Sequence, residues 1–307
     1  MNSPARPLRL HLPATSANLG PGFDALGLAM ALYLTIDATP APAFSIEAIG
    51  RNADRCARIE NNLILRTYSE VLAGAGKSVT PLHLSVENQI PLGMGCGSSA
   101  AALLAGVLLA NHFGQLGWIP YACMEEACRR EGHPDNVAAC ALGSMTVSAQ
   151  VQPSTPGEPP SIVTATFGQT LDWKLLLALP TASLATEKAR ALLPDHYSRA
   201  ATVANVQRTA LLVAAFALGR GDLLAAAMQD RIHQPYRTAA CPLLPLLLPL
   251  AGTPGIFGVA LSGAGPGVLL IADPASASAD LITRIRAAAI DPGLEVIETS
   301  IASWTLK

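Results

Sequence analysis

The chain has 307 residues, a length that suits two domains better than one. Half of it is hydrophobic and 14% is charged, so the apolar mass for a large core is present. The net charge of −2 and pI of 6.3 exclude the basic excess that a nucleic-acid or anionic-membrane surface requires.

A mean hydropathy of +0.37 calls for a membrane test. The apolar run Ala100–Ala110 stops at Asn111-His112, and Leu243–Leu250 is cut by Pro245 and Pro249. A spanning helix needs roughly 20 apolar residues, so neither run spans. The first residues lack the apolar segment of a signal peptide. The cysteines at 56, 96, 123, 128, 140 and 241 show no zinc spacing, which predicts buried, reduced thiols in a cytoplasmic protein.

In chain order, weak alternation predicts a strand over 8–12 that stops at Pro13, and 24–38 reads as a longer strand. Helical periodicity covers 62–75, and "LHLSVEN" (82–88) alternates as a strand. A glycine stretch leads into a helix over 98–112. Helices over 121–130 and 137–142 and a strand over 144–151 follow, and then a proline-rich connector over 152–161. Beyond it the pattern predicts a strand at 172–180 and helices at 186–193, 197–218 and 222–231. Two strands flank a glycine turn at 256–273, and a helix at 278–289 and a strand at 294–302 complete the chain. Strands and helices mix without strict βαβ alternation, so the fold class is α+β, with domains over 1–170 and 171–307.

"IPLGMGCGSSAAALLAGVLLAN" (90–111) places Gly93, Gly95 and Gly97 after a strand and before a helix. The first N–H groups of a helix lack intrahelical partners, and its dipole leaves partial positive charge there, so the arrangement suits an anion. Ser98 and Ser99 add hydroxyls. No lysine follows the last glycine, so this is not a Walker A loop, and it is not a dinucleotide fingerprint. A flexible turn before a buried helix explains the stretch equally well. "LSGAGPGV" (261–268) is a second glycine turn, with a tight hairpin as its plain reading.

"PATSANLGPGFDALGLAM" (13–30), "IPLGMGCGSSAAA" (90–102) and "LSGAGPGVLL" (261–270) together resemble, in order and spacing, the three motifs of the GHMP small-molecule kinases. "EGHPDNVAACALGS" (131–144), residues 185–222 and "DRIHQPYR" (230–237) resemble segments of the homoserine kinase branch. The resemblance covers essentially the whole chain. It implies an N-terminal domain like the second domain of ribosomal protein S5, a ferredoxin-like C-terminal domain, and a cleft for ATP and substrate between them. The implied reaction is transfer of the ATP γ-phosphoryl group to the side-chain hydroxyl of L-homoserine, in threonine biosynthesis. L-threonine and a mevalonate-type acid are the alternative acceptors. A homodimer is compatible with the family.

The same resemblance implies residue roles. Pro91, Leu92, Gly93, Met94, Gly95, Cys96, Gly97, Ser98, Ser99 and Gly263 would form the ATP phosphate site, and Asn62 would lie near the base or simply cap its helix. Ser99 and Glu125, the carboxylate eight residues before His133, would hold Mg²⁺. Arg190 and Arg237 would hold the substrate carboxylate, since two guanidiniums give bidentate, charge-assisted contacts. Asp24 and Asp135 would meet the ammonium, with His133 beside them and Thr186 lining the pocket or capping a helix. Asn18 and Asn136 would bond the attacking hydroxyl. Asp135 is either a base or an orienting group, and an aspartate paired with ammonium makes a poor base.

Overall fold

The computed structural model of the chain describes residues 6–153, 157, 160–181 and 189–303. The first sheet holds β1 (Leu8–Asn18), β2 (Gly22–Pro40), β3 (Ser45–Gly50), β4 (Leu82–Asn88), β5 (Met145–Val151) and β6 (Ser161–Phe167). Its order is β3-β4-β2-β5-β6, and β1 pairs with β2. The 19-residue β2 organises it, running antiparallel to β1, to β4 along Leu34–Pro40 and to β5 along Leu26–Leu28.

β1 does not stop at Pro13. The register shifts between Pro13 and Ala14 and again between Ala17 and Asn18, and such irregularities accommodate a proline that cannot donate to the ladder. The strand therefore delivers Asn18 to the cleft described below, and the buried Thr15 and Ser16 to bonds with Asn136 and Ser262 beside it. β3 and β6 have no counterpart in the predicted elements. Both are edge strands with many exposed residues, so neither has the apolar signature of a core strand.

Helices α1 (Ala53–Cys56), α2 (Leu63–Gly74), α3 (Ser98–Phe113), α4 (Pro120–Glu131) and α5 (Asp135–Leu142) belong to this half. α3 packs against α2, α4, α5 and β1, and nine of its residues are buried, as expected of a helix without a polar face. Gly106 lets α2 approach, because a Cβ there would lie 2.6 Å from Thr67 Cβ. This packing fixes the α3 N-terminus.

The second sheet is antiparallel, with β7 (Lys174–Leu179), β8 (Ile256–Leu261), β9 (Val268–Ala272) and β10 (Glu295–Ser300) in the order β10-β7-β9-β8. Helices α6 (Arg199–Ala217), α7 (Leu224–Ala227), α8 (Gln234–Arg237) and α9 (Leu243–Leu247) connect β7 to β8, and α10 (Ser278–Ala288) connects β9 to β10. This βαββαβ path has the ferredoxin-like strand order. The helix expected over 222–231 is broken into a 3₁₀ turn at Gly221–Leu223, the short α7, and an irregular segment. Of the helix expected over 186–193, residues 186–188 lie outside the described residues; Ala189 and Arg190 are helical, and the chain turns at Ala191.

α6 is long and apolar enough to cross a bilayer, although polar residues spread along it interrupt every apolar run. Asn205 and Thr209 both donate to the Pro21 carbonyl, which ties this helix to the loop between β1 and β2. Past β10 the chain returns to the first sheet. Ile301 bridges Met30, and Ala302 exchanges backbone bonds with Ala29 and Ser144. Arg51 and Glu295 form an ion pair between the two halves.

Candidate active site

The three glycine segments lock into one another. Thr15 N–H donates to the Cys96 carbonyl, Gly263 N–H to Ala17, and Gly267 N–H to Met94. The Ser262 hydroxyl bonds both the Gly95 carbonyl, at 2.7 Å, and the Ser16 hydroxyl. Gly93, Gly95 and Gly97 have φ of 72°, 75° and 68°, the left-handed region that favours glycine. The faces where Gly95 and Gly97 lack a Cβ look at protein rather than at open space. A Cβ on Gly95 would lie 2.0 Å from the Ser262 carbonyl oxygen, and one on Gly97 would lie 1.8 Å from Thr15 Oγ1. Gly97 then opens α3 with no side-chain cap, so its first N–H groups face the cleft that Ser98 and Ser99 line.

That cleft, with a cavity volume of about 70 Å³, brings together Asn18, Asp24, His133, Asn136, Arg190, Arg237 and Gly263 with the glycine loop. Asn18 is buried with φ of 69°. Its amide nitrogen donates to Gly263 O at 2.9 Å, and its Oδ1 accepts from Asp24 N–H. The Thr15 hydroxyl donates to Asn136 Oδ1 at 2.7 Å. Asp135 is buried behind this wall. Its Oδ1 meets His133 Nδ1 at 2.5 Å and accepts Asn136 N–H at 2.7 Å. Burial opposes the charged form of His133, but the bonded Asp135 and the nearby Asp24 and Glu131 outweigh it, so its pKa is raised.

The acceptor end holds two guanidiniums on one aromatic ring. The Arg190 and Arg237 carbons lie 5.6 and 5.5 Å from the Phe23 centroid. Arg190 binds Asp24 through two bonds of 3.1 and 2.6 Å, so the residues expected at opposite ends of a substrate meet each other. Thr186 lies outside the described residues.

Glu125 is not in the cleft. Its carboxylate accepts Ile162 N–H of β6 at 3.0 Å. Six residues on, Glu131 lines the cleft and accepts the Ser99 hydroxyl at 2.9 Å. Six residues rotate a helix by about 600°, which leaves the two carboxylates roughly 120° apart and about 9 Å apart along the axis. Burial raises the Glu131 pKa, partly offset by His133 and by the Ser99 bond.

A second cavity opens from the same loop at Gly93, Ser98 and Ser99 and runs past Leu92 to Arg58, Asn62 and Ile64. Asn62 caps α2, accepting from Ile64 and Leu65 N–H, as the capping expectation has it, and it also lines this cavity. Pro91 is buried. The Cys96 thiol is also buried and donates to Met94 O, and burial pushes its pKa up to about 12. The thiol is thereby withdrawn from solvent.

Family models for the GHMP kinase N-terminal and C-terminal domains match residues 62–144 and 212–291. A homoserine kinase of Solibacter usitatus is 48% identical over 85% of this chain and 84% of its own length. One from Deinococcus radiodurans is 40% identical over 92% and 89%. The chain belongs to the GHMP kinase family. The crystal structure of a homoserine kinase from Cytophaga hutchinsonii superposes with a TM-score of 0.76 at 23% identity, covering 99% of this chain and 97% of that one, which bears on the fold.

In this GHMP kinase several cleft residues had no signal of their own in the sequence. Phe23 sits inside the first motif and reads as packing. Glu131 was open to discovery, because it shares the "EGHPDN" turn with His133 and Asp135. Thr15, Ser262 and His233 act through long-range bonds that spacing does not reveal.

Proposed function

We propose that this GHMP kinase transfers the γ-phosphoryl group of ATP to the side-chain hydroxyl of L-homoserine, giving O-phospho-L-homoserine and ADP. One observation carries the reading. A single cleft joins the uncapped N-terminus of α3 to two guanidiniums and the Asp24 carboxylate, so it offers an anion cradle and a zwitterion site side by side. Kinship with homoserine kinases at 36–48% identity supports the same acceptor.

Phosphoryl transfer needs in-line positioning and charge neutralisation more than covalent chemistry. The α3 N-terminus and the glycine-loop amides would hold the phosphates, and the cavity beside Asn62 would take the base. Ser99 and Glu131, two hard oxygen donors 2.9 Å apart at this terminus, fit Mg²⁺. When bound, the metal supplies neutralisation of the phosphate charge. The substrate carboxylate would bond Arg190 and Arg237, and its ammonium would take Asp24, replacing the internal Arg190–Asp24 pair with matched partners at both ends. Asn136, held by Thr15, would face the hydroxyl.

The hydroxyl oxygen forms a bond to the γ-phosphorus as the bond to the β-phosphate bridging oxygen breaks. We assign the hydroxyl proton to the transferred phosphoryl group. Asp135 is engaged by His133 and Asn136, so it orients these two rather than acting as base. The six free cysteines support a reducing, cytoplasmic setting.

Coupled ADP-release assays with L-homoserine, L-threonine and mevalonate test the acceptor. Turnover is expected with homoserine at the highest kcat/KM, and release with another acceptor but not with homoserine overturns the reading.

A further inference from the structure

The two cleft arginines are held in opposite ways. Arg190 is half-exposed and bonded to a carboxylate, so its charge is answered within the protein. Arg237 is fully buried, and no carboxylate is bonded to it. Its Nε donates to Ala189 O at 3.2 Å, and its Nη1 donates to His233 Nδ1 at 3.1 Å and to Gly263 O at 3.4 Å. Among the described residues Nη2 has no protein acceptor. Every hydrogen-bonded anchor is neutral, which fixes the guanidinium without a bonded carboxylate, while Asp24 and Asp230 act on its charge only from a distance.

The state of His233 follows from its partners. A guanidinium only donates, so Nδ1 must be the accepting nitrogen and the ring proton sits on Nε2. Nε2 donates to Gly20 O at 2.8 Å. The ring is buried, which disfavours its charged form, and it stacks on Phe23 with centroids 5.3 Å apart. Asp230 fixes the His233 backbone, since its carboxylate accepts the N–H groups of Ile232, His233 and Gln234. One imidazole therefore links Gly20, in the loop just before Phe23 and Asp24, to Arg237.

We infer that His233 is a positioning and specificity-determining residue. As a neutral imidazole it sets Arg237 at a fixed place relative to Asp24, so that the cleft selects an acceptor with a carboxylate and an ammonium at amino-acid spacing. A carboxylate in its place would hold the guanidinium as firmly and neutralise it; the imidazole holds without neutralising. This inference rests on Arg237 receiving the substrate carboxylate.

Steady-state kinetics of H233A, H233F, H233N and R237A, and of the H233A/R237A double variant, test it. H233A leaves space and H233F keeps an aromatic ring on Phe23. Both remove the acceptor, and both are expected to raise the homoserine KM by about ten- to a hundredfold, as for a lost bond to a charged group, while the ATP KM stays within about twofold. H233N restores an acceptor near the Nδ1 position and recovers a large part of the loss. The double variant is no worse for homoserine than R237A alone. Additive losses in the double variant, or equal rises in the ATP and homoserine KM in both H233A and H233F, overturn the inference. An R237A enzyme with unchanged homoserine KM would instead refute the placement of the carboxylate, a distinct failure.

Discussion

Gly97→Ala tests whether the central glycines are shaped by protein contacts. The backbone there has φ of +68°, where an L side chain costs roughly 1–2 kcal/mol. The added Cβ would also sit 1.8 Å from Thr15 Oγ1 and 3.2 Å from Asn136 Oδ1. Thr15 must move, which costs its bond to Asn136, about 1 kcal/mol, and overpacks a buried junction by roughly 1–3 kcal/mol. Gly76→Ala is the control, with φ of +66° and nothing within 4 Å of its Cβ. Backbone strain and the unfolded-state entropy of alanine are common to both variants and cancel. Urea unfolding should then place Gly97→Ala about 2–4 kcal/mol below Gly76→Ala, with unchanged slope, and coupled assays should find activity lost in the first variant only. Equal stability of the two variants would refute the reasoning, because it would mean that the Cβ of residue 97 finds room in the cleft.

Three further outcomes are expected. Glu131→Gln should weaken apparent Mg²⁺ affinity by at least the 10–100-fold that outer-shell changes cause, whereas Glu125→Gln should leave the Mg²⁺ dependence of turnover intact; the reverse pattern would return the metal role to Glu125. Arg190→Ala and Asp24→Asn should each raise the homoserine KM roughly tenfold or more without raising that of ATP, measured by varying one substrate at saturation of the other. Thiol labelling of the native enzyme at pH 8 should modify at most Cys56, the one cysteine that is not buried. With its pKa at about 12, Cys96 has only about one thiolate in 10⁴ at that pH and gains reactivity only as pH rises toward 12, so rapid labelling of Cys96 by mass spectrometry would contradict its burial.

Local signals made most of the fold legible. β4 lies where its alternation places it, and α3 begins at Ser98 because the glycine before it ends one conformation and opens another. β3 and β6 escaped because an edge strand buries too little to impose alternation, and β1 outran Pro13 because a bulge absorbed the missing donor. The site was legible in its composition and less so in its connections. Asp24 and Arg190 stand 166 positions apart, and spacing gave no reason for them to bond each other. Glu125 and Glu131 lie on one helix, and choosing between them required knowing which side of α4 meets Ser99.

The glycine loop shows why such choices escape a sequence. A missing Cβ makes room for something, and the sequence does not say what. At Gly95 the occupant is a carbonyl from residue 262, and at Gly97 a hydroxyl from residue 15. Both glycines therefore serve the proposed phosphate site indirectly. They let three distant segments close on one another, and the closure holds the α3 N-terminus with its first amides free. A cradle built this way depends on the joint more than on the loop. Ser262→Ala removes a hydroxyl that does not itself line the cleft, and it should still weaken ATP binding, because that hydroxyl bonds both Gly95 O and Ser16 Oγ and so holds the three segments in register. An ATP KM unchanged in Ser262→Ala would show that the loop keeps its shape without the joint.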